Sequence, residues 1–221
     1  MARGRQWHEL DVGTALVAAY VLSVALFTIT SHAIGEPEVS DLASSPQKIA
    51  DGKVWTLLSS AFLVDGPPVV QIVAVAVLAA VLVHFRGSFV FWRAALAGHV
   101  TATLLTYVGV GVLWLIDRRA TTGVVTSPDY GISCVWAGGL GALAAGAWRA
   151  RGSAPRAQAV VAVAVVLLTL LTIFSTGLAQ IEHVLAFALG ALVIVVTDRR
   201  HRPADRFAGF EDAMAEPVSS R

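Results

Sequence analysis

Two residues that lie far apart in the chain, Ser133 and His183, have the side chains of a nucleophile and of its base. Ser133 lies in DYGISCVWAG, residues 129–138, and His183 lies in IEHVLAFALG, residues 181–190. A serine hydroxyl is a poor nucleophile until a base takes its proton, and neutral imidazole is the usual base near pH 7. Acyl-transfer chemistry would need the two side chains within about 2.6 to 3.2 Å of each other.

The composition indicates the medium in which these residues must be held. Of 221 residues, 56% are hydrophobic and 14% are charged, and the mean hydropathy is +0.71. These values are typical of a membrane protein. About 20 apolar residues cross the hydrocarbon of a bilayer as a helix, and the sequence contains six such runs: Val12–Ala33, Pro67–Val83, Phe89–Ile116, Tyr130–Trp148, Ala157–Leu178 and Ile181–Thr197.

These runs predict an all-α membrane protein with three parts. Residues 1–11 form a cytoplasmic N-terminus, residues 12–197 a domain of six transmembrane helices, and residues 198–221 a polar, disordered cytoplasmic tail. The first run is too long for the apolar core of a signal peptide and no small-residue cleavage pattern follows it, so we expect a retained helix.

The basic residues predict the orientation of the domain. Twelve of the 16 Lys and Arg residues fall at the two ends or in loops on one side, and four fall on the other. Because cytoplasmic loops are enriched in Lys and Arg, both termini are expected in the cytoplasm, in the plasma membrane of the cell. The net charge of +1 argues against a nucleic-acid partner, and the basic loops are explained by topology and anionic lipid. With a single cysteine and no metal-ligand spacing, neither a disulfide nor a metal or other cofactor is expected.

Polar side chains inside the predicted spans are few, and each is a candidate for function because burying it in hydrocarbon is costly. They are Gln71, His99, Ser133, Glu182 and His183. Each has a simpler alternative. Ser133 lies in a Gly- and Ala-rich run that allows close helix packing, and either histidine could hold neighbouring helices together through a hydrogen bond.

The predicted topology brings Ser133 and His183 to the same side and depth of the membrane. Both lie near the outer start of a span, the fourth and the sixth. Their hydrogen bond requires closely packed helices, and the small residues Ala186 and Gly190 follow His183 on one helix face. Glu182 precedes His183 and points about 100° away, so it is not expected to orient the imidazole.

The order of these features resembles the rhomboid intramembrane serine proteases. They are a Gly-x-Ser at the outer start of the fourth helix, a His at the outer start of the sixth, and six spans with cytoplasmic ends. A further stretch, VWTLLSSAFLV at residues 54–64, resembles the rhomboid W-R-L-L-T-S-x-F-x-H segment between the first outer loop and the second helix. The resemblance extends from Val12 to Thr197.

The resemblance implies a Ser-His dyad that cleaves transmembrane substrates, with Ser133 as nucleophile and His183 as general base. Gly131 matches the first glycine of the rhomboid G-x-S-G, and the backbone N–H of Ser133 would help to stabilise the oxyanion. The rhomboid H-x-x-x-N of the second helix, which completes the oxyanion site, falls on Val69 and Val73, and neither side chain can donate a hydrogen bond.

Two other side chains are candidate substitutes for the missing donors. Gln71 lies in the second span between the two valines, and His99 lies in the third span. A packing role for His99 is the alternative. The sequence thus predicts a rhomboid-like protease, with two further alternatives: an inactive rhomboid-fold protein that binds transmembrane helices as an adaptor or quality-control factor, and a small transporter that uses Glu182, His183 and His99.

Overall fold

A computed structural model describes residues 12–34, 36–64, 67–151, 155–175 and 177–201 of the chain. The described residues form helices and no strand, which confirms the all-α prediction. One antiparallel bridge joins Ser44 to Asp129. The helices are α1 (Val12–Ile34), α2 (Glu36–Leu42), α3 (Pro46–Ala50), α4 (Thr56–Ser60), α5 (Pro68–Arg86), α6 (Ser88–Leu96), α7 (Ala102–Ile116), α8 (Arg118–Thr126), α9 (Ile132–Arg151), α10 (Pro155–Phe174) and α11 (Leu178–His201), and a π-helical turn, Ala97–Thr101, joins α6 to α7.

Five helical stretches of the described chain are long and apolar enough to cross a membrane, which makes the chain a multi-pass membrane protein by length and composition. They are Val12–Ser31, Pro68–Arg86, Ser88–Ile116, Pro155–Phe174 and Leu178–Asp198. The helix α9, where the sequence predicts the fourth span, is not among these five. Its many Gly and Ala residues contribute less hydropathy than the Val and Leu residues that fill α10.

The helix ends differ from the predicted limits of the spans. The fifth span was expected to reach Leu178, but α10 ends at Phe174, and α11 begins at Leu178 instead of Ile181. The helix α11, which corresponds to the predicted sixth span, also continues to His201, so the first residues of the predicted tail are helical. The rest of that tail, 202–221, and the predicted N-terminus, 1–11, lie outside the described residues.

The small-residue helix α9 lies at the centre of the bundle, where it contacts α5, α6, the π turn, α10 and α11. Its glycines permit this. A Cβ at Gly141 would overlap the backbone carbonyl of Phe187 in α11, and a Cβ at Gly190 would overlap that of Gly138 in α9. Gly98 in the π turn faces Gly138 in the same way, with its Cβ position 2.9 Å from the Gly138 Cα. The central helix is therefore packed against its neighbours at backbone distance.

Charged side chains join three helices at the end of the bundle away from Ser133. Asp198 of α11 accepts hydrogen bonds from Arg86 of α5 at 3.4 Å and from Arg149 of α9 at 3.2 Å. Arg86 also donates to the carbonyl oxygen of Gly146 at 2.9 Å. These contacts fix the ends of α5, α9 and α11 relative to one another.

Candidate active site

The first turn of α9 places Ser133 next to α11. The sequence expects this helix to start near Tyr130, but it starts at Ile132, so Ser133 is its second residue. Backbone N–H groups in a first helical turn have no acceptor within their own helix. The N–H of Ser133 therefore belongs to the set of donors that a helix N-terminus offers to negative charge.

The side chains of Ser133 and His183 are in hydrogen-bond contact. His183 Nε2 lies 2.8 Å from Ser133 Oγ, within the range expected of a nucleophile and its base. His183 is 1% exposed and lies in the second turn of α11, because this helix starts at Leu178. The structure thus brings together the two residues that the sequence pairs.

A second hydroxyl, which sequence reasoning missed, contacts the other ring nitrogen of His183. Ser175 follows the last residue of α10, and its Oγ lies 3.2 Å from His183 Nδ1. The same Oγ donates to the carbonyl oxygen of Leu171 at 2.6 Å. The sequence signal for this helix end is Gly177, two residues after Ser175. In the structure its φ of +61° is left-handed. Such a glycine is typical of a chain leaving a helix.

An open cavity of about 570 Å³ contains the Ser133–His183 pair. Gln71, Asp129 and Ser175 also line it, together with Pro67, Tyr130 and Phe174. A cavity with a few convergent polar groups is the usual form of a binding or catalytic site.

Gln71 faces this cavity, whereas the flanking valines do not line it. The Trp136 indole N–H donates to Gln71 Oε1 at 2.7 Å, which identifies the oxygen end of the amide. Val69 and Val73 are 71% and 53% exposed and line a separate apolar groove between α5 and α10. Gln71 and the two valines therefore lie on different faces of α5.

His99 is not brought to the Ser133–His183 pair. Its Nε2 lies 2.6 Å from the carbonyl oxygen of Leu57 and 3.3 Å from Ser60 Oγ, so it fastens α4 to the π turn. A Cβ at Gly131 would overlap the His99 ring. Gly131 is thus required by the close approach of His99, and its N–H donates to the Ser60 carbonyl oxygen at 2.9 Å. Neither His99 nor Gly131 lines the cavity that contains Ser133 and His183.

A buried polar cluster supports the segment that leads into α9. Tyr107 donates to Asp129 Oδ2 at 2.9 Å, and Ser44 donates to the same oxygen at 3.3 Å. The backbones of Ser44 and Asp129 exchange hydrogen bonds of 3.2 and 2.8 Å. This cluster ties the loop after α2 to the chain four residues before Ser133.

Glu182 is fully buried. Its Oε2 lies 3.7 Å from the sulfur of Cys134, and it does not line the cavity. The expectation that Glu182 does not orient the imidazole agrees with this geometry. Within the described ranges, no group of three or more His, Cys, Asp or Glu side chains is arranged to hold a metal ion.

Comparison with protein-family models, with curated proteins and with solved structures finds no match for this chain. Its function must therefore be argued from the residues and their geometry.

Proposed function

We propose that this chain is a rhomboid-like intramembrane serine protease that cleaves transmembrane substrates with a Ser133–His183 dyad. The observation that carries the proposal is the 2.8 Å contact between Ser133 Oγ and His183 Nε2, inside a cavity of about 570 Å³. A packing serine or a structural histidine needs no such partner at the mouth of a polar cavity.

In the proposed reaction, Ser133 Oγ attacks the carbonyl carbon of the scissile peptide bond. Its proton passes to His183 Nε2, and the imidazolium then returns that proton to the leaving amine. Water hydrolyses the resulting acyl-enzyme by the same proton transfers in reverse order. The backbone N–H of Ser133 stabilises the oxyanion. Gln71, which lines the same cavity, is the candidate side-chain donor, because Val69 and Val73 cannot donate a hydrogen bond.

The proposed substrate is a transmembrane helix that approaches from the lipid. An apolar groove of about 840 Å³ opens between α5 and α10 and reaches α9 at Trp136. The Trp136 indole also contacts Gln71, which lines the catalytic cavity. An apolar segment in the groove would thus lie beside the cavity, where water is available for hydrolysis.

The proposal includes a sixth span and a defined orientation. In this arrangement α9 crosses the membrane inside a ring of more apolar helices, so its own surface need not be strongly hydrophobic. Both termini lie in the cytoplasm, and the cavity opens to the outer side of the plasma membrane. The excess of Lys and Arg on the predicted inner side supports this orientation.

A second candidate is a protein of the same fold that binds transmembrane helices without cutting them. The apolar groove favours this candidate, because Val69 and Val73 offer only apolar surface for contact with a helix and no hydrogen-bond donor for catalysis. Such an adaptor would keep the groove and would not need the Ser133–His183 contact.

Cleavage of a single-span reporter in proteoliposomes distinguishes the two candidates. We expect the wild-type protein to release two fragments cut near the outer surface, and Ser133→Ala to release none. Ser127→Ala is the matched control, because Ser127 lines the same cavity and no role is assigned to it. Reporter that is bound by the wild type but left intact would support the adaptor and contradict the protease.

A further inference from the structure

Two hydroxyl groups hold the His183 imidazole, one at each ring nitrogen. Ser133 Oγ lies 2.8 Å from Nε2, and Ser175 Oγ lies 3.2 Å from Nδ1. The two serines come from different helices, α9 and the end of α10. The ring is therefore fixed in the plane that a general base needs in order to face its nucleophile.

The partners of Ser175 determine where its proton lies. A backbone carbonyl can only accept a hydrogen bond, so the 2.6 Å contact to the Leu171 oxygen uses the Ser175 O–H as donor. The remaining lone pairs of Ser175 Oγ can then only accept, and the proton in the 3.2 Å contact must belong to His183 Nδ1. Neutral imidazole has one N–H, so Nε2 presents its lone pair to Ser133.

Ser175 is itself held in place by α11. The side-chain amide of Gln180 donates to the backbone carbonyl oxygen of Ser175 at 3.0 Å. Gln180 precedes His183 by three residues, so both side chains lie on nearly the same face of α11. The end of α10 is thus attached to this face at two points, the Ser175 carbonyl and the Ser175 hydroxyl.

We propose that Ser175 is a positioning residue for the dyad, which selects the Nδ1–H tautomer of His183 and stabilises the imidazolium formed during the reaction. This inference rests on the proposed protease function. In the proton transfer, the Ser133 hydroxyl proton moves to Nε2 and later to the leaving amine. The Nδ1 proton stays on the ring throughout, and Ser175 accepts a hydrogen bond from it without taking the proton. A hydroxyl thereby does what an acidic third residue does in a Ser-His-Asp triad.

The test follows the inactivation of the detergent-solubilised full chain by a fluorophosphonate, with its maximal rate and its half-saturating concentration measured separately. The variants are Ser175→Ala, which removes the hydroxyl, and Ser175→Thr, which keeps it. Thr172→Val is the matched control, because the Thr172 hydroxyl bonds only to the carbonyl oxygen of its own helix at Leu168, at 2.9 Å. A thermal melt of each variant checks that it is folded.

We expect Ser175→Ala to lower the maximal inactivation rate about tenfold, the effect of losing one hydrogen bond in the transition state, with the half-saturating concentration unchanged. Ser175→Thr restores the rate to near that of the wild type, and Thr172→Val leaves it unaltered. A Ser175→Ala rate within twofold of the Thr172→Val rate overturns the inference, and so does a Ser175→Thr rate as low as that of Ser175→Ala. A wild-type protein that does not react at all refutes the proposed function instead.

Discussion

The amide of Gln71 is the side chain on which oxyanion stabilisation depends in this account. The Trp136 indole N–H donates to its Oε1 at 2.7 Å, so the orientation of the amide is set before a substrate arrives. A donor that is oriented in advance stabilises developing charge without reorganisation during the reaction. Trp136 lies three residues after Ser133 on α9, which places this donor on the same side of the helix as the nucleophile.

Replacement of Gln71 by leucine should slow cleavage sharply. Loss of one oxyanion donor costs about a hundredfold to a thousandfold in rate in serine hydrolases, and we expect about a hundredfold for Gln71→Leu, measured as the turnover of a single-span reporter. Trp136→Phe should have a smaller effect in the same direction, because it frees the amide to rotate. Ser127→Ala is the control, since Ser127 lines the same cavity and has no part in the proposed reaction. Turnover of Gln71→Leu equal to that of the control would exclude Gln71 from the oxyanion site.

Pairing of Ser133 with His183 could be predicted from sequence, because both lie at the same end of a span and on the same side of the membrane. Ser175 could not be found in that way. The predicted fifth span extends past Phe174 through Ser175 to Leu178, and within such a helix a serine would only bond to its own helix. In the structure α10 ends at Phe174, and the hydroxyl of the next residue, Ser175, contacts His183 of α11.

At the scale of the helices, the contact between α9 and α11 sets the distance between the two dyad residues. Gly190 of α11 meets the backbone of Gly138 in α9, and Gly141 of α9 meets the backbone of Phe187 in α11. These contacts involve backbone atoms, which cannot move aside as a flexible side chain can. Any Cβ added at either position must separate the helices.

Gly190→Ala should therefore destabilise the bundle and impair the site. Overpacking of a tight interface costs about 1 to 3 kcal/mol, and we expect a loss in this range, measured as a lower melting temperature in detergent. Labelling of Ser133 should fall in the same variant because the helices separate.

Gly109→Ala is the matched control, because a Cβ at Gly109 meets no atom within 4 Å. Alanine favours a helix over glycine by up to about 1 kcal/mol, so this variant should be at least as stable as the wild type. Equal melting temperatures for Gly190→Ala and Gly109→Ala would show that close packing of α9 and α11 is not needed.

The small residues that allow this packing were evident in the sequence, and the prediction of a Gly- and Ala-rich helix between 130 and 148 describes the position of α9 well. The helix ends were predicted less accurately, by up to four residues at the end of α10. Helix ends depend on local hydrogen bonds, such as those of Ser175, that hydrophobic patterns do not report.

At the scale of the whole molecule, polar groups are segregated to the two ends of an apolar bundle. Ser133, His183 and the Asp129 cluster lie at one end, and the Asp198 ion pairs lie at the other. Between them the outward surface is apolar, as shown by exposed residues such as Leu115, Phe89 and Val163. This arrangement suits a protein that is held in lipid between two polar surfaces.

The all-helical class and the multi-pass character followed from composition, since long apolar runs have few other folds available to them in lipid. The number of spans did not follow as simply. Five helical stretches meet the requirements of length and hydropathy, and α9, the predicted fourth span, is not one of them. Hydropathy is calculated for each segment alone and does not include contacts with neighbouring helices such as those of α9.

The dyad is the central claim, and covalent labelling tests it most directly. The purified protein is treated with a fluorophosphonate probe, and the modified peptide is identified by mass spectrometry, for the wild type, Ser133→Ala, His183→Ala and the cavity control Ser127→Ala. We predict an adduct on Ser133 in the wild type and in Ser127→Ala, and none in Ser133→Ala or His183→Ala. An adduct on another serine, no adduct in the wild type, or undiminished labelling of Ser133 in His183→Ala would contradict the account.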